Sequence, residues 1–312
     1  MKTGFKKKGE LSTQQIIMII ILIASFIVVL YFLIKLNLGN ESVQEVCHNS
    51  VTLRASAALP ADSTPLKCYT DYVCLTKNGD CGDMVNPAIE KVKTEDEVYH
   101  ALAEQMANCW WMFGEGKVDY IGSKILQQNY CSICSQLYLD NSLKDINSFS
   151  DGQISKDKLY DYLAANEYTQ GKTYAQFLFG TNDISGLKQQ IVKSDNNTLG
   201  VGTFGNISIG KRYFVVMGIT SEIGNTYKWI GIGIAGLAFL TPVGWVGGAI
   251  LVGSGVGVAA AGGTVAGLFQ PEIAAIVVQG KGIDNRFMAP TIQEANSDKF
   301  NALNCKDVLT LG

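Results

Sequence analysis

From Ile16 to Ile34 the chain runs nineteen residues without a charge, a proline or a glycine. A helix apolar on every side must be surrounded by lipid or by other protein. At 1.5 Å per residue this one is about 28 Å long, close to the roughly 30 Å of a bilayer's hydrocarbon core. Lys2, Lys6, Lys7 and Lys8 precede it, and Tyr31, Phe32 and Lys35 close it with an aromatic and basic interfacial flank. A cleavable secretory signal would have a shorter apolar region ending at small residues. The expectation is a retained transmembrane helix over 16–35, with a cytoplasmic basic segment at 1–15 and the rest of the chain extracytoplasmic at the cell membrane.

That sidedness bears on the eight cysteines, all of which follow the helix: Cys47, Cys68, Cys74, Cys81, Cys109, Cys131, Cys134 and Cys305. An even count outside the cytoplasm reads as disulfides, with a connectivity that spacing does not give. Zinc competes, because Cys131-Ser-Ile-Cys134 has ligand-like spacing, but a second close pair is missing and neither His48 nor His100 completes a set. No thioredoxin-like βαβ pattern surrounds the pair, which weighs against a redox role. No metal and no cofactor are expected.

The lead-in to the apolar run carries a further pattern. Lys6-Lys7-Lys8-Gly9, then Glu10-Leu11-Ser12-Thr13-Gln14-Gln15, resembles the processing site of archaeal type IV pilin-like proteins. The resemblance implies cleavage between Gly9 and Glu10. Gln14 stands where that pattern carries Glu. An ordinary signal anchor with a similar polar lead-in is the reading preferred over pilin-type processing.

Beyond the helix, 36–66 reads as a stalk and 67–140 as a Cys-rich helical region. Asn78-Gly79 is a hairpin turn signal, so a small disulfide-pinned hairpin is expected around Cys74 and Cys81. Thr94-Glu-Asp-Glu97 is a capping box, and Val98, Leu102, Met106, Cys109 and Phe113 recur along one face of the helix that follows. Gly114 and Gly116 stop it. Cys109 therefore faces inward, ready to tie the helix to a neighbour. Adjacent Trp110 and Trp111 point about 100° apart, so only one belongs to that stripe. An α/β region follows over 141–225, with short helices near 156–164 and 173–179 and strands near 187–192 and 211–219. Asn40-Glu-Ser, Asn196-Asn-Thr and Asn206-Ile-Ser match the N-glycosylation tripeptide.

Met106-Ala-Asn-Cys-Trp-Trp-Met-Phe-Gly-Glu-Gly-Lys117, Cys131-Ser-Ile-Cys134, Tyr160-Asp-Tyr-Leu163 and Thr173-Tyr-Ala-Gln-Phe-Leu178 are similar to membrane-anchored surface proteins of small-genome (DPANN-type) archaea. The resemblance implies shared structural bridges at the cysteines and brings no activity with it.

Between Lys228 and Glu272 lie 43 residues without a charge. Gly244/Gly248, Gly253/Gly257 and Gly263/Gly267 are spaced to pack helices closely, as in lipid. A Gly-rich hydrophobic hairpin over 226–271 is expected, entering the membrane or buried in a protein core. A single span returning the tail to the cytoplasm would strand Cys305 among reduced thiols. The flanking apolar pieces 213–219 and 273–278 both read as strands, and if they pair, the hairpin's ends meet at a sheet edge. The strand at 273–278 opens a C-terminal strand and tail over 272–312.

The resulting fold class is α+β: an N-terminal transmembrane helix, a disulfide-linked mixed ectodomain and a Gly-rich helical hairpin. A net charge of −3 and the lack of a basic, aromatic-interleaved patch exclude a nucleic-acid binder. No P-loop, HExxH or GxSxG is present, and Gly231-Ile-Gly233-Ile-Ala-Gly236 lacks the strand and helix that a dinucleotide site needs. An enzyme is not expected. The partners expected are the lipid bilayer and other copies of the chain through its apolar helices. The expected function is a structural or interaction role at the cell surface, as a pilin-like subunit or an attachment protein. The alternative is a membrane-active protein whose hairpin inserts into a bilayer or forms a pore.

Overall fold

The computed structural model describes residues 13–35, 42–56, 65–121 (except 80 and 83), 129–186, 203–220, 249–254, 272–279, 286–297 and 300–309 (except 302, 304 and 306). The chain divides into two units, Met1–Ser42 and Val43–Gly312. The described residues of the first form the helix α1 (Thr13–Lys35). Its apolar side chains are exposed on every side, from 45% at Ile16 to 69% at Met18. Among the described residues no helix is long and apolar enough to cross a membrane. The side chains described in α1 are those of 14–29, about 24 Å of helix at 1.5 Å per residue, and the apolar run continues in sequence to Ile34.

The second unit is mixed α and β around an eight-stranded sheet. Its strands are β1 (Asp71–Thr76), β2 (Ala88–Lys91), β3 (Asn129–Leu139), β8 (Arg212–Thr220), β9 (Ala249–Ser254), β10 (Glu272–Gln279), β11 (Arg286–Glu294) and β12 (Asp307–Leu309). The order is β2-β1-β3-β8-β11-β10-β9, with β12 also on β3. β1 runs parallel to β2 and β3, β12 runs parallel to β3, and the remaining pairs are antiparallel. One face carries the larger core, under α2 (Val43–Ser56), α3 (Glu95–Met112), α4 (Lys156–Ala165) and α5 (Tyr174–Phe179). The other carries a small cluster of Cys131, Ile133, Val216, Met288 and Leu303, with Phe214, Phe300 and Cys305 packed on it. Among the described residues there are also two ribbons, β4 (Gln153–Ser155) with β7 (Asn206–Ser208) and β5 (Glu167–Thr169) with β6 (Lys172–Thr173).

α3 forms as its sequence dictates. Thr94 accepts the Glu97 amide at 3.2 Å, while the Glu97 carboxylate reaches back to the Lys93 amide at 2.6 Å, one residue beyond the expected reciprocal box. Val98, Leu102, Met106 and Cys109 are wholly buried. Each such aliphatic side chain contributes roughly 1.5–3 kcal/mol relative to exposure. The helix ends where Gly114 takes φ +79° and Gly116 takes φ +68°. Trp110 enters the core edge-on to Phe287 of β11, at 5.9 Å between ring centres. Trp111 is only partly buried and stacks flat on His48 of α2, at 4.2 Å.

β3 and β11 each carry a bulge, and both lie against the same stretch of β8. In β3 the register steps from Ile133↔Val216 to Ser135↔Val215, leaving Cys134 as the extra residue. In β11 it steps from Met288↔Gly218 to Thr291↔Val216, so Ala289 and Pro290 oppose Met217 alone. Proline is at home there, since a bulge releases it from donating to the ladder. Lys156, buried at the start of α4, donates to the Ile292 carbonyl of β11 at 2.6 Å. Tyr160, one turn on, stacks between Phe179 and Phe204.

All eight cysteines are bridged: Cys47–Cys68, Cys74–Cys81, Cys109–Cys134 and Cys131–Cys305. The α+β class and the disulfides thus agree with the sequence. Four expectations are corrected. The segment read as a stalk contains α2, bridged through Cys47 to the core. The hairpin expected at Cys74 and Cys81 is instead a parallel pair, β1 with β2, although Gly79 does make a turn at φ +93°. Parallel strands need a crossover, and 77–87 supplies it. The strands at 213–219 and 273–278 are not neighbours, because β11 lies between them. Residues 249–254 form a strand and not part of a helical hairpin, so Gly253 pairs with Ile273 in a ladder. Ile250 and Val252 are β-branched, and β10 offers a partner edge, which together outweigh the glycine spacing. The strand expected near 187–192 lies outside the described residues.

Candidate functional site

α3 brings together two sets of titratable side chains, the first where Glu95 is half-buried and Tyr99 enters the core. At its first turn, Lys158 of α4 pairs with Glu95 at 2.9 Å. A hydrogen bond from Ser148, and then Lys158, hold the Glu95 carboxyl below the usual range. One turn on, burial and then the charge of Glu95 push the Tyr99 hydroxyl up. Between these groups and the β4–β7 ribbon is a cavity of about 200 Å³. Ser148, Phe149 and Asp151 line it from the turn before β4, and Gln153, Ser155 and Asn206 from the ribbon.

Further along α3, and about 100° round from Tyr99, lie His100 and Glu104 on its more exposed side. His100 Nδ1 is 3.4 Å from the hydroxyls of both Tyr162 (α4) and Tyr174 (α5). The Tyr174 hydroxyl donates to Glu104, and burial followed by that bond raises it strongly. Glu90 of β2 is raised by burial, with His100 opposing the shift and Glu104 adding to it. Burial raises Tyr162 and Tyr168 as well. Tyr168 stacks on Phe177, over which Lys172 sits at 4.8 Å. The tyrosines stay protonated at neutral pH, so this face offers hydroxyl donors beside carboxylate acceptors. Such a face can hydrogen-bond a polar ligand. Among the described residues no group of three or more His, Cys, Asp or Glu is placed to hold a metal.

Of the residues singled out in the sequence as site candidates, the structure brings Asn206 to the cavity and, among the described residues, none of the cysteines or helix-packing glycines. The cysteines are structural bridges. His48 lies against Trp111, with Nδ1 at 2.7 Å from its carbonyl oxygen. Cys131 and Cys134 bond to different partners, so they form neither a zinc pair nor a redox pair. Gly9 and Glu10 lie outside the described residues, as do Gly244, Gly248, Gly257, Gly263 and Gly267, Asn40 and Asn196. The residues that sequence reasoning missed are Glu90, Glu95, Tyr99, His100, Glu104, Lys158, Tyr162 and Tyr174. A partial signal existed: Glu95/Tyr99 and His100/Glu104 are each four apart on one helix and so share a side.

No protein-family model matches the chain, and neither does any curated protein or solved structure.

Proposed function

We propose that this is a membrane-anchored cell-surface protein with a structural or interaction role, as a pilin-like subunit or an attachment protein, related to the surface proteins of small-genome archaea. In this reading α1 holds the chain in the bilayer, its N-terminus is cytoplasmic, and residues 43–312 face outward. The carrying observation is the all-round exposure of apolar side chains on α1. Lipid, or other copies of α1, would cover them. The four disulfides support the outward placement, since such bridges persist in oxidising compartments. The lysines before α1 support the orientation, and Gly9-Glu10 is the cleavage point of the pilin-like variant.

Protease treatment of intact cells tests the reading. The expected result is loss of the region after residue 42, with an α1-containing fragment left in carbonate-washed membranes. A chain that washes free, or survives untouched until the cells are broken, overturns it. N-terminal sequencing decides the pilin-like variant, which fails if residues 1–9 are retained.

A second reading draws on β9, an uncharged strand paired with β10 at the end of the sheet's path. There, the uncharged stretch 229–271 would enter a bilayer as part of a strand hairpin. Vesicle leakage by the full chain, abolished by deleting 255–271, is its expected signature. Absence of leakage removes it.

A further inference from the structure

We propose that Asn206 carries an N-linked glycan, and that the first sugar seats in the polar cavity beside it. The proposal rests on the outward placement of residues 43–312. Asn206-Ile207-Ser208 is an acceptor tripeptide that forms strand β7 in full. Side chains alternate along a strand, so Asn206 and Ser208 share one face while Ile207, wholly buried, enters the core. Asn206 is exposed and Ser208 is half-buried. The acceptor amide and the hydroxyl two residues on are therefore presented together from a folded ribbon, held by pairing of Asn206 with Ser155 and of Ser208 with Gln153.

The cavity supplies the second, independent observation. Asn206 is one of its walls, and its volume of about 200 Å³ suits one pyranose ring. Glu95, Asp151, Gln153, Ser155 and Lys158 line it, with Lys158 paired to Glu95. A sugar carries a ring of hydroxyls, each both donor and acceptor, and this lining offers both kinds of partner. Phe149 and Tyr99, both buried, line it as well and add aromatic surface to the polar groups. In the modification itself, the Asn206 amide nitrogen bonds to the anomeric carbon of a phosphate-linked saccharide donor. The anomeric C–O bond breaks, the phosphate group leaves with the electron pair, and the amide proton passes to a base of the transferase.

The test is peptide mass spectrometry on the full chain purified from the membranes of its native cells. Trypsin releases 194–211, which also contains Asn196, so fragmentation must place any added mass. The expected result is a glycan mass on Asn206 that disappears in Asn206→Gln and Ser208→Ala and persists in Ser208→Thr. Lys158→Ala, which opens the cavity without touching the acceptor, should speed enzymatic removal of the glycan from the folded protein severalfold. An unmodified Asn206, or mass on Asn196 alone, overturns the proposal when the same cells show residues 43–312 cut by external protease. Glycan on Asn206 with removal rates unchanged by Lys158→Ala overturns the seating. If the protease instead finds the chain protected and its thiols are free, the outward placement has failed, and the glycan proposal falls with it.

Discussion

Cys131 and Cys134 are three residues apart in one strand, yet they anchor to opposite faces of the sheet. Cys134 bonds α3 through Cys109 within the large core, and Cys131 bonds Cys305 in the small cluster behind. An odd spacing in a strand gives opposite faces. Non-reducing peptide mapping should therefore find 131 with 305 and 109 with 134. A 131–134 peptide pair, or zinc retained at these residues, would contradict the geometry.

The bridges should differ in worth. Cys131–Cys305 closes a separation of 174 residues, and Cys74–Cys81 one of 7. On chain entropy alone, replacing the first pair with alanine costs about 5 kcal/mol and the second about 2 kcal/mol. Urea midpoints of the two double variants should fall in that order. The reverse order would mean that the long bridge strains the fold.

Gly114 and Gly171 offer a controlled comparison. Both have positive φ, +79° and +75°, but a Cβ at 114 would lie 2.3 Å from Val118 Cγ2, whereas nothing lies within 4 Å at 171. Gly171→Ala should lose about 1 kcal/mol, and Gly114→Ala about 3 kcal/mol because the helix exit must shift as well. Equal losses in thermal denaturation would show that Val118 yields freely.

His48→Ala should expose Trp111 and cost about 1 kcal/mol, from the lost ring stacking and the bond to the Trp111 carbonyl. A red shift of tryptophan emission without unfolding is the expected reading. Unchanged emission would mean that Trp111 is covered by something other than His48.

Glu95 and Glu90 should give stability–pH profiles of opposite sign. Glu95 is depressed from about 4.5 by Ser148 and Lys158, so its contribution is full above that value and fades as pH falls through the folded pKa. Glu90 is raised from about 4.5 by burial, so its ionisation opposes folding, a penalty absent below that value and complete above the folded pKa. At neutral pH, Glu95→Gln should be less stable than the parent and Glu90→Gln more stable, and both differences should shrink on acidification. Denaturation midpoints from pH 3 to 7 check this, and parallel profiles for the two variants would refute it.

How much of this was legible in the sequence varies by element. α3 could be read to its ends, because the Thr94 cap, the buried stripe and the Gly114 exit are all local. β8 could be read from its aromatic and β-branched run. β3 and β11 were missed because each bulge breaks the alternation that marks a strand: core contacts in β3 pass from Cys134 to Leu137, and Pro290 breaks β11. α2 buries only Cys47, Ser50 and Val51, too little apolar surface to announce a packed helix. The polar face was illegible for another reason. Its members come from β2, α3, α4 and α5, and the contact of His100 with Tyr162 and Tyr174 exists only after those elements pack.

The order of the four bridges also sets how the second unit would bear a pulling force. Tension entering at α2 passes from Cys47 to Cys68, along β1 from Cys68 to Cys74, and across to Cys81. It then follows α3 to Cys109, crosses to Cys134, and leaves β3 at Cys131 for Cys305. The chain between Cys134 and Cys305 hangs off this covalent route, so β8, β9, β10 and β11 are mechanically short-circuited. A molecule stretched between α2 and Cys305 would pay out the chain from Cys68 to Cys74 and from Cys81 through β2 and α3 to Cys109, and stop there, with β8 to β11 carrying no load.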